Sequence, residues 1–334
     1  MRIGILYDRE DEYPDVDGAS DRFAEFEPES TIEVMEAAIR HCGHEPVRLG
    51  GPLSLLKNRP DVDLVWNISE GYGTRNREAW GPALLEMYQI PMLGSDALTL
   101  SISLDKRLTK LVAFSIGLSV VGFPFSVAPE HGVDSSNRVD AIDPDVPRPT
   151  SHVSRLFVKP RYEGTAKGLS AASIVETDEE LNTAVARIRK DYGQDAIIEP
   201  FLAGPEFTVA LMGQPLKAYP VLERGLDAVT RLGSHVMKSE GEVLVSGSLT
   251  PELEEKLTRW SLDLCEELGV KHFARLDFKC DEAGNPFFLE INPLPTFAVD
   301  QTFAILAELE GVEYSSWLGE KLREILPAKA GVTR

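Results

Sequence analysis

From its first residues the chain alternates apolar runs of strand length with segments of helical period, and this most restricts its fold. Ile3 to Tyr7 reads as a buried strand. Ile32, Met35, Ile39 and Cys42 recur at spacings of three and four, the mark of an amphipathic helix, and Gly43 stands where a helix stop is expected. Asp63 to Ser69 predicts another strand, Trp80 to Met87 another helix, and Ile90 to Leu93 a short strand before Gly94-Ser95. Strands alternating with helices imply a parallel sheet, so residues 1–95 are expected to form an α/β domain.

A second alternation follows an interruption. Residues 128–155 hold four prolines and many polar residues with little periodicity, which predicts a surface insertion without chemistry of its own. Leu156-Phe157-Val158 is an expected strand, Arg161 to Gly168 a glycine-bearing loop, and Ala171 to Val175 a strand. Leu181, Val185 and Ile188 mark a helix face before a strand at Ala196-Ile197-Ile198. Further on, strands are expected at Phe207–Met212 and Leu216–Leu222, then a helix over Leu253, Leu257, Trp260, Leu264 and Leu268, a hairpin and a C-terminal helical segment.

The 334 residues carry a formal net charge of −20. That argues against a nucleic-acid surface, which needs clustered Lys and Arg, but leaves room for a local basic pocket. No stretch approaches the ~20 apolar residues of a membrane span. The opening Met1 to Tyr7 is too soon broken by charge for a signal peptide, so a cytoplasmic protein is expected. Cys42, Cys265 and Cys280 show no metal-ligand spacing; Cys42 and Cys265 fall on apolar helix faces and read as core.

The strongest chemical signal is the hairpin built from Ala274 to Phe278, a turn over Asp281 to Asn285, and Phe288 to Asn292. Residues two apart on a strand share a face, so Arg275 with Asp277, and Glu290 with Asn292, point together, while Leu276, Phe278, Leu289 and Ile291 point to the core. Carboxylate and amide oxygens suit Mg²⁺ completed by nucleotide phosphates. Arg275 beside them could stabilise an oxyanion or phosphate charge. A solvated face with a salt bridge also explains charge at alternate positions, but not this particular set.

Other signals are weak singly. Lys159 ends an apolar strand, and Glu163-Gly164-Thr165-Ala166-Lys167-Gly168 follows at once. Such a loop can turn backbone N–H groups over phosphates, though it has neither Walker A nor Rossmann spacing. Glu199 and Glu206 flank Pro200-Phe201-Leu202, where a strand end could meet an adenine edge and an acid could accept from ribose hydroxyls. Taken singly, an acid such as Glu199 or Glu206 is more often a surface charge, Lys159 is as well read as a solvent-facing strand-end charge, and the glycine loop as an ordinary turn.

In this order and spacing the pieces resemble the ATP-grasp superfamily, and most closely the D-alanine–D-alanine ligase family. The resemblance runs from about Asn67 to Phe297. It is carried by Asn76-Arg77-Glu78-Ala79 through Gly94-Ser95, Leu104 to Lys110, Val158-Lys159-Pro160, Gly204 to Val209, and the hairpin. It implies an α/β (α+β) three-domain ATP-grasp fold: an N-terminal substrate domain (1–95), a central subdomain with the insertion (96–198) and a C-terminal metal-binding domain (199–334). It implies ATP held by Lys106, Lys159, Glu199, Leu202 and Glu206, and two Mg²⁺ ions, with Mn²⁺ as a substitute, on Asp277, Glu290 and Asn292. Arg275 would stabilise the acyl phosphate and tetrahedral intermediate, and Thr165 stands where the family has a serine in its phosphate-covering loop. The partners implied are small carboxylate and amine substrates, with no nucleic acid and no membrane; related ligases are commonly homodimers.

Three departures bear on the substrate. The family's Gly-Gly-x-Ser-x-Glu signature is replaced by Tyr7 to Glu12 and a polar stretch to Glu29, leaving Glu27 or Glu29 as candidates to grip an ammonium. The Tyr-bearing lid motif is missing between Leu222 and Val245, where Arg231, His235 and Lys238 stand, Lys238 being the catalytic candidate. Ser-Pro-Gly becomes Leu294-Pro295-Thr296, making Thr296 a substrate-side candidate. Arg75 and Arg77, in the loop after the Asp63–Ser69 strand, could bind a substrate carboxylate or be surface arginines at a helix start. The expected activity is ATP-dependent amide or dipeptide formation with altered substrate pockets. Its rivals are an L-amino-acid or peptide ligase of secondary metabolism and a non-catalytic ATP-binding protein.

Overall fold

Ile3, Ile5 and Leu6 are fully buried, and the segment that carries them, Arg2–Leu6 (β1), is the inner strand of a parallel sheet. Its neighbours are Glu45–Gly50 (β2) and Leu64–Asn67 (β3), and Met92–Leu93 (β4) adds to β3, giving the order β2-β1-β3-β4. The structure is a computed structural model that describes residues 1–13, 21–122, 126–127, 155–226 and 248–326. Helices Glu29–His41 (α1), Pro52–Lys57 (α2) and Trp80–Tyr88 (α3) connect the strands. Ile32, Met35 and Ile39 of α1 pack with Ile3, Ile5 and Trp66, as the helical spacing predicts. Gly43, at φ 75°, ends α1 in the left-handed region that glycine enters without steric cost.

Two short helices then cross to the next layers. Ala97–Leu104 (α4) is capped by Asp96, and Lys106–Ser115 (α5) by Asp105, each side chain accepting from first-turn backbone N–H groups. A second sheet, antiparallel throughout, has the order β5-β8-β6-β7 from Ser126–Val127 (β5), Leu156–Pro160 (β6), Ile174–Val175 (β7) and Ala196–Pro200 (β8). Asp178–Tyr192 (α6) begins with a Thr177/Glu180 capping box and lays Leu181, Ala184, Val185 and Ile188 on that sheet.

The third sheet is built around Glu206–Gly213 (β9), buried along its whole length. Leu216–Ala218 (β10) and Leu222–Arg224 (β11) both pair with β9 on one side. Pro251–Leu268 (α7) covers the sheet with Leu257, Trp260, Leu264 and Cys265, and His272–Cys280 (β12) and Pro286–Asn292 (β13) complete it. Thr302–Leu309 (α8) and Tyr314–Ile325 (α9) return the chain to the first layer, where Trp317, Leu318 and Leu322 join the core of α1 and β1. The mixed α/β expectation holds. Among the described residues no helix is long and apolar enough to cross a membrane.

Three local expectations are corrected. Ala171–Ser173 is a 3-10 turn in which the Ser170 and Ser173 side chains each accept from the other's backbone, so the strand shrinks to Ile174–Val175. The stretch Leu216–Leu222 is two strands because Pro220 has no N–H to give the ladder. Leu289 was expected in the core. A bulge shifts the register so that Asp277 faces Glu290 while Phe278 faces Phe288; Phe288 is buried in Leu289's stead, and Leu289 turns to a cavity.

Candidate functional site

The second and third sheets face each other across a cavity of about 440 Å³. Phe157 and Lys159 of β6 and Glu199 of β8 line one wall; Glu206, Arg275, Asp277, Lys279 and Glu290 line the other. The cross-strand registers are the reason. Phe157 pairs with Glu199, which puts Lys159 and Glu199 diagonally on the same face. Asp277 lies opposite Glu290 and Arg275 opposite Asn292, so the expected group of two carboxylates, one amide and one guanidinium stands together. Phe157, Phe201, Leu202 and Leu289 add apolar wall to the same cavity.

Each cation is set by a carboxylate. Lys106 opens α5, whose capping Asp105 is clamped by the Arg161 guanidinium at 2.7 and 2.8 Å. Its ammonium lies 3.0 Å from Glu290 and donates to the Glu163 carbonyl at 2.5 Å. Glu199 sits between two ammonium groups, Lys159 at 3.0 Å and the fully buried Lys110, which donates to it. Arg275 binds Asp277 through Nε and Nη2, at 3.2 and 2.9 Å. Lys279 faces Glu206 across β12 and β9 at 3.1 Å, and Arg224 of β11 lies 3.3 Å from Glu206. Burial alone would raise the Glu290 carboxyl, but Lys106, Lys159 and Arg275 hold it down at about 2. Burial likewise opposes ionisation of Glu199, and Lys110 and Lys159 overcome it.

A second cavity of about 50 Å³ adjoins the first and shares Lys106, Glu163, Thr165, Arg275 and Glu290 with it. Thr165 and Ala166 both adopt left-handed backbone, φ 47° and 55°, which turns the loop from Glu163 to Gly168 sharply at the junction. Glu25 closes this loop from the first layer: it accepts from Gly164 N at 2.7 Å and pairs with Lys167 at 2.9 Å. Asn292 and Thr296 line the second cavity, and the Asn292 Nδ2 has no hydrogen-bond partner. Glu27 lines it too, its carboxyl pushed up by burial against hydrogen bonds from Thr296 and Phe297 N.

Arg77, Arg75 and Glu29 lie elsewhere. Arg77 lines neither cavity; it is 3% exposed and bound to Glu25 at 2.7 Å, Glu70 at 3.4 Å and Glu78 at 3.8 Å. A guanidinium so surrounded has no free fork for a substrate carboxylate. Arg75 is exposed over the Tyr162 ring, and Glu29 pairs with Arg48 on the surface. Lys238, with Arg231 and His235, lies outside the described residues. Sequence reasoning assigned no role to Glu25, Glu70, Glu78, Lys110, Arg224 or Lys279. Lys279 was open to discovery, since it continues the alternation of Arg275 and Asp277 by one more step.

Glu70 and Glu78 line the second cavity with Arg77 as their common cation. Burial pushes Glu78 up from 4.5 to about 7; Arg77 opposes, Glu25 adds to the rise, and Glu70 and Lys106 oppose. Glu70 is raised too, by burial and then by Glu78 and Glu25. Carboxyls protonated in the folded chain and ionised in the unfolded chain make stability fall as pH rises between these values. Melting at pH 5, 6 and 7.5 is expected to show that decline, and Glu78→Gln to flatten it. A slope unchanged in the variant would exclude Glu78 as its source.

Comparison with known proteins agrees with this geometry. The D-ala D-ala ligase C-terminus family matches residues 148–322. D-alanine–D-alanine ligase B of Chromobacterium violaceum is 30% identical over 79% of this chain and 80% of its own length. An uncharacterised Sinorhizobium fredii protein, y4sG, is 28% identical over 84% of this chain and 82% of its own. The crystal structure of the Bacillus anthracis D-alanine–D-alanine ligase complexed with ATP superposes with a TM-score of 0.66 at 20% identity, covering 97% of both chains. The facing sheets, the charged hairpin between them and these matches place the chain in the D-alanine–D-alanine ligase family of ATP-grasp proteins.

Proposed function

We propose that this protein is an ATP-dependent carboxylate–amine ligase, which forms an amide through an acyl phosphate. The observation that carries the reading is convergence: Lys106, Lys159, Glu199, Leu202, Glu206, Arg275, Asp277 and Glu290, far apart in sequence, line one cavity. The apolar wall of Phe157, Phe201 and Leu202 suits an adenine ring, and Glu206 of the same cavity would serve ribose hydroxyls. Lys106 and Lys159 would take the phosphates, exchanging their present carboxylate partners for phosphate oxygens.

Asp277, Glu290 and Asn292 would hold Mg²⁺, two ions by family resemblance. Their oxygens are hard donors side by side on two paired strands, and an amide with an unpartnered end leaves room for a new ligand arrangement. Bound Mg²⁺ would neutralise phosphate oxygens and make the terminal phosphorus easier to attack. Lys106 would hold the transferred phosphoryl group beside the substrate carboxylate. An oxygen of that carboxylate attacks the phosphorus and ADP departs. The amine nitrogen then attacks the acyl carbon, phosphate leaves with the bonding electrons, and the nitrogen loses its proton. Arg275 would stabilise the oxyanion between those events, and the Thr165 loop would keep water off the acyl phosphate. A screen for ADP release over a matrix of amino acids, with mass spectrometry of products, tests this. ATP consumption in no acid–amine combination would overturn it.

The altered substrate pocket belongs to the same proposal. Glu25, the first-layer acid nearest the loop, is already committed to Arg77 and Lys167, and Glu29 to Arg48. Thr296, where the family has glycine, fills its turn with a side chain that bonds Glu27. D-alanine paired with D-alanine is therefore expected to react at least about 100-fold more slowly than the best pair, the scale on which one misplaced polar contact discriminates substrates. Efficient D-alanyl-D-alanine synthesis at millimolar substrate would refute the altered pocket and leave the ligase reading intact.

A further inference from the structure

The second cavity holds more buried carboxyl groups than cations to ionise them. Glu25, Glu70, Glu78 and Glu163 share Arg77 and Lys167, and Glu27 has hydroxyl and backbone donors only. Lys106, the next cation, is already 3.0 Å from Glu290. Burial holds the Glu70 and Glu78 carboxyls above their ordinary range for want of cations, and a cationic ligand between them would let them ionise. Acidic side chains alone would not define a ligand, but a second feature does. Ser103, 5% exposed, lines the same cavity, and its hydroxyl has no hydrogen-bond partner. Carboxyl groups and a hydroxyl beside two leucines suit an alkylammonium, whose nitrogen meets the oxygens and whose carbons meet the leucines. The cavity's 50 Å³ is room for about four water-sized heavy atoms, and Leu104 and Leu294 supply apolar wall beside the acids.

We infer that the second cavity receives the aminoalkyl arm of a basic amino acid, with methylenes against Leu104 and Leu294 and the terminal ammonium between Glu70, Glu78 and the Ser103 hydroxyl. The inference rests on the ligase reading for its location, since the arm enters beside the hairpin where the reacting carboxylate would lie. It names the substrate class: lysine- or ornithine-like, not a small neutral amino acid. An α-ammonium alone would leave the acids undercompensated, whereas a second nitrogen supplies a further charge where Arg77 is shared by three carboxylates.

Calorimetry on the full chain with Mg²⁺ and ADP tests it, using both enantiomers of lysine and ornithine against norleucine, which has the lysine skeleton without its terminal nitrogen. At least one basic amino acid is expected to bind tenfold or more tighter than norleucine. Glu78→Gln and Glu70→Gln should each erase most of that preference while ADP affinity, the measure of an intact fold, stays at the wild-type value. Should one variant lose ADP binding, the other decides. Norleucine binding as tightly as the basic amino acids, no binding of either kind, or a preference that survives the substitutions would overturn the inference. ADP release with neutral amino acids alone would also overturn it, yet preserve the ligase reading. Tight binding of lysine without ADP release for any amine would do the reverse.

Discussion

Glu290→Gln is expected to lower ATP turnover by about 100- to 1000-fold, the loss typical of one preorganised charge-stabilising group, while the fold survives. Glu290 lies on β13, opposite Asp277 and 3.0 Å from Lys106. The amide keeps the side chain's length and leaves the strand pairing untouched. What disappears is a carboxylate that three cations hold ionised, its carboxyl held down at about 2. A neutral amide is a poorer ligand for a hard cation, so part of the loss should return at high Mg²⁺. Lys106 keeps its bond to the Glu163 carbonyl, so the lysine stays in place. Melting temperature is the control for fold. Near-normal turnover of the variant at limiting Mg²⁺ would show that Glu290 is no metal ligand.

Glu290 was legible in the sequence because the hairpin is local. Period-two alternation, an Asp-Gly-Asn turn and apolar partners on the other face determine both structure and orientation within nineteen residues, Ala274 to Asn292. Even there the alternation misled at Leu289, because a bulge inserts one residue and resets the faces, and no side-chain pattern announces a bulge. Lys159 and Glu199 were found as strand-end charges, but their meeting depends on the pairing of β6 with β8, a non-local fact. Glu25 and Lys110 were missed for opposite reasons. Glu25 stands in an acidic stretch with no period, and only its approach to Gly164 and Lys167 gives it meaning. Lys110 sits in a helix where a lysine ordinarily points to water; nothing in the sequence tells that this one is fully buried. Arg77 shows the converse: a well-placed loop arginine proves to be occupied, by Glu70 and Glu78 of its own loop and by Glu25, which the fold brings from a distant stretch.

The knot of Lys110, Glu199 and Lys159 yields the second large effect. Glu199→Leu should destabilise the protein by about 3–5 kcal/mol, the cost of leaving a buried charge without its partner. Glu199 is 2% exposed and Lys110 0%, so water does not replace the lost carboxylate. Burial has already pushed Lys110 down to about 8, and the Glu199 carboxylate is the main force against that fall. Without Glu199 the ammonium keeps Lys159 and Lys106 as like-charged neighbours. A lysine whose folded pKa is depressed binds fewer protons folded than unfolded, so stability rises with pH above the folded value. The deficit of Glu199→Leu should thus be smaller at pH 9 than at pH 6.5. Lys110→Met should cost less than Glu199→Leu, because Glu199 keeps Lys159 at 3.0 Å. The double variant should be more stable than Glu199→Leu alone, since an apolar pair of similar volume removes the buried charge together with its partner. Urea midpoints of the four proteins at both pH values measure this cycle. If Glu199→Leu lay within about 1 kcal/mol of the wild type, the ordinary scatter of single substitutions, or if Lys110→Met gave it no rescue, the ion pair would not be holding β8 to α5.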